Sequence, residues 1–167
     1  ALGACVGLVS GFFRNRIDDV LMRICDVMMS FPSEVMILAI VGMTGPGLEN
    51  VVIANVVAKW PWYARMVRSI VRQYSDKDYI RFAKVAGGSS IRIMMRHLLP
   101  GTAGELFVLT TLDTGSVILM ISALSFLGLG VQPPTPEWGM MLNEAKEVMT
   151  LYPLQMIPAG MAILLVV

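Results

Sequence analysis

Residues 106–131 read LFVLTTLDTGSVILMISALSFLGLGV, and Asp113 is the only charged residue among them. A helix of about 20 mostly apolar residues is long enough to cross a bilayer. Helices suit this environment because they satisfy their backbone hydrogen bonds internally. The stretch therefore predicts a membrane-spanning helix, and the rest of the chain decides whether it spans alone.

The composition extends this prediction to the whole chain. Of 167 residues, 56% are hydrophobic and 15% are charged, whereas soluble domains carry roughly 25% charged residues. Four further stretches are apolar: residues 1–13, 27–48 (interrupted only by Pro32 and Glu34), 51 to about 71, and 152–167. We therefore expect an all-α fold, a polytopic transmembrane helical bundle, as a single partial domain over residues 1–167. The net charge of +1 gives no sign of a nucleic-acid partner.

The basic residues are distributed unevenly among the connections. Of the 13 Lys and Arg residues, three follow the first apolar stretch, at positions 14–23. Eight more lie within residues 65–96, before the stretch 106–131. Residues 132–149 contain a single basic residue, Lys146. Because cytoplasmic loops of membrane proteins carry an excess of Lys and Arg, the first predicted span ends in the cytoplasm. Residues 132–149 then face the opposite side.

The basic connection, residues 72–100, contains the pattern of a short amphipathic helix. Ser75 is a candidate N-cap, and Gly87 followed by Gly88 is a typical helix end. Four apolar residues between them recur at the spacing of one helical face: Tyr79, Phe82, Ala83 and Ala86. The spacing predicts an amphipathic helix whose apolar side packs against another apolar surface.

A second short helix is predicted from Ser89 or Ser90. Ile91, Met94, Met95 and Leu98 repeat the same spacing, and Pro100 is expected to break the chain before the span 106–131. A short helix with an apolar face and basic flanks suits a groove on another protein. It also suits the surface of a lipid bilayer, and the pattern alone does not separate these two interpretations.

Two motifs carry a resemblance to a known family. Residues 78–87, DYIRFAKVAG, followed by 97–100, HLLP, resemble the EAA loop of ATP-binding-cassette importer permeases. The name-giving triplet is replaced by Arg81-Phe82-Ala83, so no role of the family's glutamate is carried onto Arg81. Residues 125–139, SFLGLGVQPPTPEWG, resemble the second permease of peptide and nickel importers.

The resemblance implies the type I importer-permease fold, with six spans of which this chain covers about five. It implies a multi-pass subunit of the bacterial inner membrane, surrounded by lipid. The implied partners are a homologous second permease, two cytoplasmic ATP-binding subunits and an extracytoplasmic solute-binding protein. ATP and Mg²⁺ would bind to the ATPase subunits, and no cofactor to this chain. The residues implied to couple to the ATPase are Tyr79, Phe82, Ala83, Ala86, Gly87, His97 and Pro100.

The substrate is a separate question. Residues 62–69, WYARMVRS, and 153–156, PLQM, look more like nickel permeases than dipeptide permeases. We therefore expect transport of nickel or a nickel chelate, with a dipeptide or oligopeptide as the alternative. A metal site in this chain is not expected, because His97 is the only histidine and metal sites need several converging ligands.

Two carboxylates, Asp113 and Glu34, lie inside predicted spans. Ionisable groups there are costly and usually face a bundle interior or an aqueous path. We expect one or both to line the translocation path near its cytoplasmic mouth. The structural alternative is that each pairs with an arginine such as Arg23 or Arg65.

The residues offer little support for catalysis. The chain contains no phosphate-binding GxxxxGK[ST] loop and no nucleophile with an adjacent base, so we expect no enzyme activity in this subunit. Two alternatives to a transporter remain. A non-transporting membrane scaffold would use the basic loop for binding alone, and an intramembrane enzyme would use Asp113 and Glu34 as acid groups.

Overall fold

The computed structural model describes residues Leu2–Val167 of the chain. All regular elements among these residues are helical, which confirms the all-α prediction. They are α1 Leu2–Phe13, α2 Arg16–Met29, α3 Ser33–Thr44, α4 Leu48–Ser75, α5 Asp78–Val85, α6 Ser90–Ile93, a π-helical segment Met94–Leu98, α7 Leu99–Phe126, α8 Trp138–Glu147, a 3₁₀ turn Pro153–Gln155 and α9 Met156–Val166. The first residue of the predicted span 1–13 lies outside the described residues.

The chain forms two compact units. Unit 1 contains the residues up to Pro32 together with Ala58–Leu109, and unit 2 contains Ser33–Val57 with Thr110–Val167. Unit 1 has a hydrophobic core whose members come from α1, α4, α5 and the segment after it: Phe12, Val67, Val71, Ile80, Ile93, Met94 and Leu98. The predicted loop helices are therefore packed on the ends of α1 and α4. That the chain forms a single domain stays a prediction.

Within Leu2–Val167, one helical stretch is long and apolar enough to cross a membrane, judged by length and composition. It is the continuous 37-residue helix Ser90–Phe126. A second candidate exists if α2 and α3, which are separated by a short break at Pro32, are counted together as one broken span. The two shorter apolar helices are Leu2–Phe13 and Pro153–Val166. The number of spans stays a prediction.

The predicted span 27–48 needs a correction at its start. Residues 27–29 complete α2, and α3 begins only at Ser33. Pro32 explains the break, since it lacks an N–H and disfavours helical geometry in the residue before it. Glu34 consequently lies in the first turn of α3 and not in the interior of a continuous helix 27–48. A carboxylate there is favourably placed against the positive end of the helix dipole.

The connections at both ends of the loop also differ from prediction. Ser75 is the last residue of α4, and Lys77 is the N-cap of α5. Pro100 does not break the chain, because it lies in the first turn of α7, which continues α6 and the π-helical segment. Proline in a helix clashes with the carbonyl four residues earlier. The π turn, in which the Leu99 N–H bonds to the Met94 carbonyl, is wider and relieves this conflict.

α1 packs against α4 through three glycines at four-residue spacing: Gly3, Gly7 and Gly11. A Cβ added at Gly7 would lie 2.5 Å from the Ala64 carbonyl oxygen, and one at Gly11 would lie 2.9 Å from that of Arg68. The two backbones therefore approach as closely as small residues at helix interfaces allow.

Candidate coupling surface and intramembrane carboxylates

The α5 helix has one buried side and one exposed side. Ile80 is fully buried and Ala83 is half-buried against the core of unit 1. On the other side Phe82 is 74% exposed and Val85 is 87% exposed. The predicted face is thus divided, because Tyr79, Phe82 and Ala86 are exposed while Ala83 turns inward. Sequence reasoning missed Val85 on the exposed side and Ile80 as the buried anchor.

The segment after α5 shows the same division. Ile93, Met94 and Leu98 are buried in the core, whereas Ile91 and Met95 are exposed. Four basic side chains of the same loop are also exposed: Arg81, Lys84, Arg92 and Arg96. We call the exposed apolar residues Tyr79, Phe82, Val85, Ala86, Ile91 and Met95 the loop face. The loop face combines apolar side chains with cations, as does a surface that binds a complementary protein groove.

The turn after α5 explains its glycine pair. Gly87 has a φ of +79°, a left-handed conformation that side chains disfavour. Its N–H bonds to the Lys84 carbonyl at 3.1 Å, and the Gly88 N–H bonds to the Ala83 carbonyl at 3.0 Å. These two bonds form a Schellman motif. The predicted helix end at Gly87 is confirmed, and it fixes the direction in which the chain leaves α5.

His97 and Pro100 are not part of the loop face. His97 is half-buried in the π-helical segment, and Pro100 is exposed in the first turn of α7. Next to Pro100, an added Cβ on Gly101 would lie 3.1 Å from the Tyr79 hydroxyl. Tyr79 therefore contacts the start of α7 while its ring remains about half exposed.

A buried carboxylate that sequence reasoning missed lies beneath the loop. Asp18 in α2 accepts hydrogen bonds from Arg68 Nε at 2.5 Å and Arg68 Nη2 at 2.6 Å, and further bonds from Arg72 and from the Ser10 hydroxyl. These bonds, those from Arg68 above all, lower the pKa of Asp18 to about 2 despite its burial. The carboxylate therefore stays ionised throughout the physiological pH range. Arg65, Arg68 and Arg72 recur on one face of α4. This spacing was the signal in the sequence that this face of α4 binds carboxylates.

The two carboxylates that were predicted to lie inside spans, Asp113 and Glu34, differ in environment. Asp113 is half-buried at the middle of α7, and the Ser116 hydroxyl donates to its Oδ1 at 2.6 Å. Glu34 is exposed and accepts a hydrogen bond from the Ser33 hydroxyl at 3.0 Å. Arg65, considered above as a partner for such a carboxylate, donates to Asp26. Both carboxylates belong to unit 2.

The connection from α7 to α8 is tightly packed. Glu137 caps α8, accepting from the Met140 N–H at 3.0 Å and from the Ser122 hydroxyl at 2.7 Å. Burial raises the pKa of Glu137, but these hydrogen bonds outweigh it and leave the pKa below its usual value. A Cβ added at Gly139 would lie 1.9 Å from the Ser122 carbonyl oxygen. A cavity of about 470 Å³ lies beside this contact, lined chiefly by Ile118, Trp138 and Met141.

The described residues contain no group of three or more His, Cys, Asp or Glu side chains arranged to hold a metal ion.

Comparison with known proteins identifies the family. Residues 3–167 match the family described as binding-protein-dependent transport system inner membrane component. The metal-staphylopine import system permease protein CntC of Staphylococcus aureus is 44% identical over 151 residues, 90% of this chain and 52% of the relative. The nickel transport system permease protein NikC of Escherichia coli is 40% identical over 162 residues, 97% of this chain and 58% of the relative.

A third relative carries a different printed substrate. The glutathione transport system permease protein GsiD of Escherichia coli is 41% identical over 167 residues, 100% of this chain and 55% of the relative. The chain thus spans about half the length of the curated relatives it matches. The family match covers nearly all of the chain and confirms the resemblance carried by the loop and by residues 125–139. The chain therefore belongs to the family of binding-protein-dependent transport system inner membrane components.

Proposed function

We propose that this chain is a membrane-spanning permease subunit of an ATP-driven importer of the bacterial inner membrane. The observation that carries the proposal is the loop face, whose apolar residues are exposed on a helix that is anchored from its other side. Ile80 and Ala83 fix α5 to the core of unit 1, while Phe82 and Val85 are exposed. Such a helix can bind a partner and transmit a displacement, since its own position is held.

The mechanism follows from this division of α5. ATP would be hydrolysed by separate cytoplasmic subunits, and the loop face would dock on one of them. Closure of the ATPase pair would then move α5 together with the helices on which it is packed. Rigid-body movement of the spans against those of the partner permease would open the path alternately to either side. The connection 132–149, carrying Glu137, would face the solute-binding protein.

For the substrate we propose nickel or a nickel chelate, with a dipeptide or oligopeptide as the alternative. Relatives named for nickel and for metal-staphylopine support the first, and a relative named for glutathione supports the second. The deciding experiment is uptake by the reconstituted importer of labelled Ni²⁺, alone or with small chelators, in competition with unlabelled dipeptides. Uptake of labelled dipeptide that Ni²⁺ leaves unaffected would establish the alternative.

Phe82→Ser tests the docking role. Because Phe82 is 74% exposed, its loss should leave the fold intact while removing a large apolar contact. We expect the amount of ATPase subunit that copurifies with the permease pair to fall at least about tenfold, a binding loss of roughly 1.4 kcal/mol. The measurement is copurification from membranes followed by quantitation of each subunit.

The control for this variant is Phe31→Ser, which changes an exposed phenylalanine, 62% exposed, at the junction of α2 and α3. It should retain the ATPase subunit. If Phe82→Ser also retains it and still transports, the loop face does not dock on an ATPase. Binding of the loop to vesicles without any ATPase dependence would favour the scaffold function.

Asp113→Asn tests whether the carboxylate of α7 serves the translocation path. The substitution keeps the size of the side chain and a hydrogen-bond acceptor for Ser116 but removes the charge. We expect uptake to fall severalfold while the four-subunit complex assembles normally. Ser116→Ala is the matched control, because it removes the hydroxyl and keeps the carboxylate, and it should retain most of the uptake. Loss of assembly in Asp113→Asn would assign the carboxylate a structural role.

A further inference from the structure

The junction between α1 and α2 is tied by charge to the connection that carries α5. Arg14 donates from Nη1 and Nη2 to the two carboxylate oxygens of Asp76, each at 2.9 Å, and from Nη2 to the Arg72 carbonyl at 2.7 Å. Arg72 belongs to the last turn of α4, and Asp76 lies between α4 and α5. A single side chain therefore holds the end of α4 and the start of the connection to α5. Paired parallel bonds of this kind fix geometry as well as adding energy.

The backbone at this junction is unusual. Arg14 has a φ of +43° and is the one residue other than glycine with a positive φ among the described residues. Left-handed geometry is disfavoured for side chains, and strained residues of this kind tend to occur where the surrounding structure requires them. Here the conformation directs the Arg14 guanidinium to three acceptors at the end of α4, the two Asp76 carboxylate oxygens and the Arg72 carbonyl. Glycine would relieve the backbone but would lose all three bonds.

The side chain of Arg72 connects this junction to Asp18 in α2, and Asp18 is bonded in turn to Ser10 of α1. The side chain of Arg72 donates to Asp18, which also receives both bonds from Arg68 and one from the Ser10 hydroxyl. Asp18 is only 3% exposed. A series of hydrogen bonds thus runs from Arg14 to Asp76, from the Arg14 side chain to the Arg72 backbone carbonyl, and from the Arg72 side chain to Asp18. The Asp18 end of this series is buried and well hydrogen-bonded, and satisfied buried networks make the elements they join rigid. The outer pair of Arg14 with Asp76 is 38% and 56% exposed, and the buried Arg72 Nε has no hydrogen-bond partner among the described residues.

α5 itself rests on the elements that this series joins. Ile80 and Ala83 pack in the core with Phe12 of α1 and with Val67 of α4. The Lys84 ammonium lies 4.8 Å from the centroid of the Phe12 ring, within the range of a cation–π contact. Apolar contacts therefore position α5 on α1 and α4. The series of hydrogen bonds from Asp76 to Asp18 joins the end of α4 to the start of α2.

We propose that Arg14, Asp18, Arg68, Arg72 and Asp76, here called the arginine network, are positioning residues for coupling. The inference rests on the proposed docking of α5 on an ATPase. The arginine network makes α5 move as one body with the ends of α1, α2 and α4. A displacement of α5 by ATP-driven closure then reaches these helices and is not absorbed by rotation in the connection Asp76–Lys77.

Asp76→Asn in the complete importer tests the proposal. The importer is reconstituted in vesicles from the full-length chain, its partner permease, the ATPase subunits and the binding protein. Labelled Ni²⁺ and a labelled dipeptide are the transport probes. Asp76 is half-exposed, so the variant should fold and retain the ATPase subunits. We expect the number of substrate molecules imported per ATP hydrolysed to fall at least about fivefold, the lower range of coupling between distant sites.

A charge exchange and a matched control make the test specific. Arg14→Asp combined with Asp76→Arg restores the pair with reversed charges but not the bond from residue 14 to the Arg72 carbonyl, and it should regain part of the import per ATP. Asp26→Asn removes an exposed Arg–Asp pair that joins α2 to α4, that of Asp26 with Arg65, without touching the connection to α5. Its import per ATP should equal that of the unaltered importer.

The outcomes separate this inference from the proposed function. Unchanged import per ATP in Asp76→Asn or an equal fall in Asp26→Asn would each overturn the role of the arginine network. In those cases the unaltered chain would still bind the ATPase subunits and transport. If the unaltered chain neither retains ATPase subunits nor imports either probe, the proposed function fails and this inference fails with it.

Discussion

Replacing Gly7 by leucine is expected to lower the free energy of unfolding by at least about 3 kcal/mol, at the upper end of the cost of overpacking. Even a Cβ at Gly7 would lie 2.5 Å from the Ala64 carbonyl oxygen and 2.7 Å from the Val67 Cβ. Neither neighbour can move aside, because one is backbone and the other is fixed in the core of unit 1. α1 would have to separate from α4. Thermal unfolding of the purified chain in detergent measures the effect.

Gly42→Leu is the matched control for this variant. Gly42 also lies inside an apolar helix, α3, but no atom lies within 4 Å of an added Cβ there. Since glycine in a helix interior costs about 1 kcal/mol relative to a good helix former, the substitution should leave the stability unchanged or raise it slightly. Equal loss of stability in both variants would show that α1 and α4 are not held by backbone proximity.

Asp18→Asn should have a comparable effect for an electrostatic reason. The substitution leaves Arg68 and Arg72 facing a neutral amide in a site where the carboxylate is 3% exposed. Removing one partner of a buried ion pair typically costs about 3–5 kcal/mol. Asp26→Asn breaks the exposed pair with Arg65 and should cost no more than about 1 kcal/mol. Urea unfolding of the two variants at neutral pH gives the comparison.

The pH dependence provides a second test of Asp18. Its pKa is lowered from 3.8 to about 2, chiefly by the hydrogen bonds from Arg68. A lowered pKa means that the unfolded chain takes up the proton first as the pH falls. The stabilisation is therefore complete well above pH 3.8 and is lost as the pH falls towards 2. The difference in stability between the unaltered chain and Asp18→Asn should shrink over the same interval, and a constant difference would contradict the assignment.

The features that could be predicted from the sequence are those set by residues close together in the chain. The helix end at Gly87 was predictable because a glycine after an apolar helix is a local signal, and φ there is positive. The inward orientation of Ala83 has a tertiary cause. α5 has apolar residues on more than one side, and contact with Phe12 and Val67 decides that Ile80 and Ala83 turn inward. No spacing within the loop contains that information.

Two other differences arise from interactions between distant or competing features. Pro100 was expected to end a helix, but the preceding π turn accommodates it. The charged network was missed because Arg68 and Asp18 are 50 residues apart in the chain. The glycines of α1 were visible at four-residue spacing, yet only the position of α4 shows which helix they contact.

The separation of these partners along the chain has a consequence for biosynthesis. Arg14 and Asp76 are 62 residues apart, and Asp18 precedes Arg68 by 50. Ribosomes add about 5–20 residues per second, so α1 and α2 emerge several seconds before the arginines of α4. During that interval Asp18 has to remain hydrated or be held by the insertion machinery. α1 and α2 can therefore complete their contacts with α4 only after α4 has been synthesised.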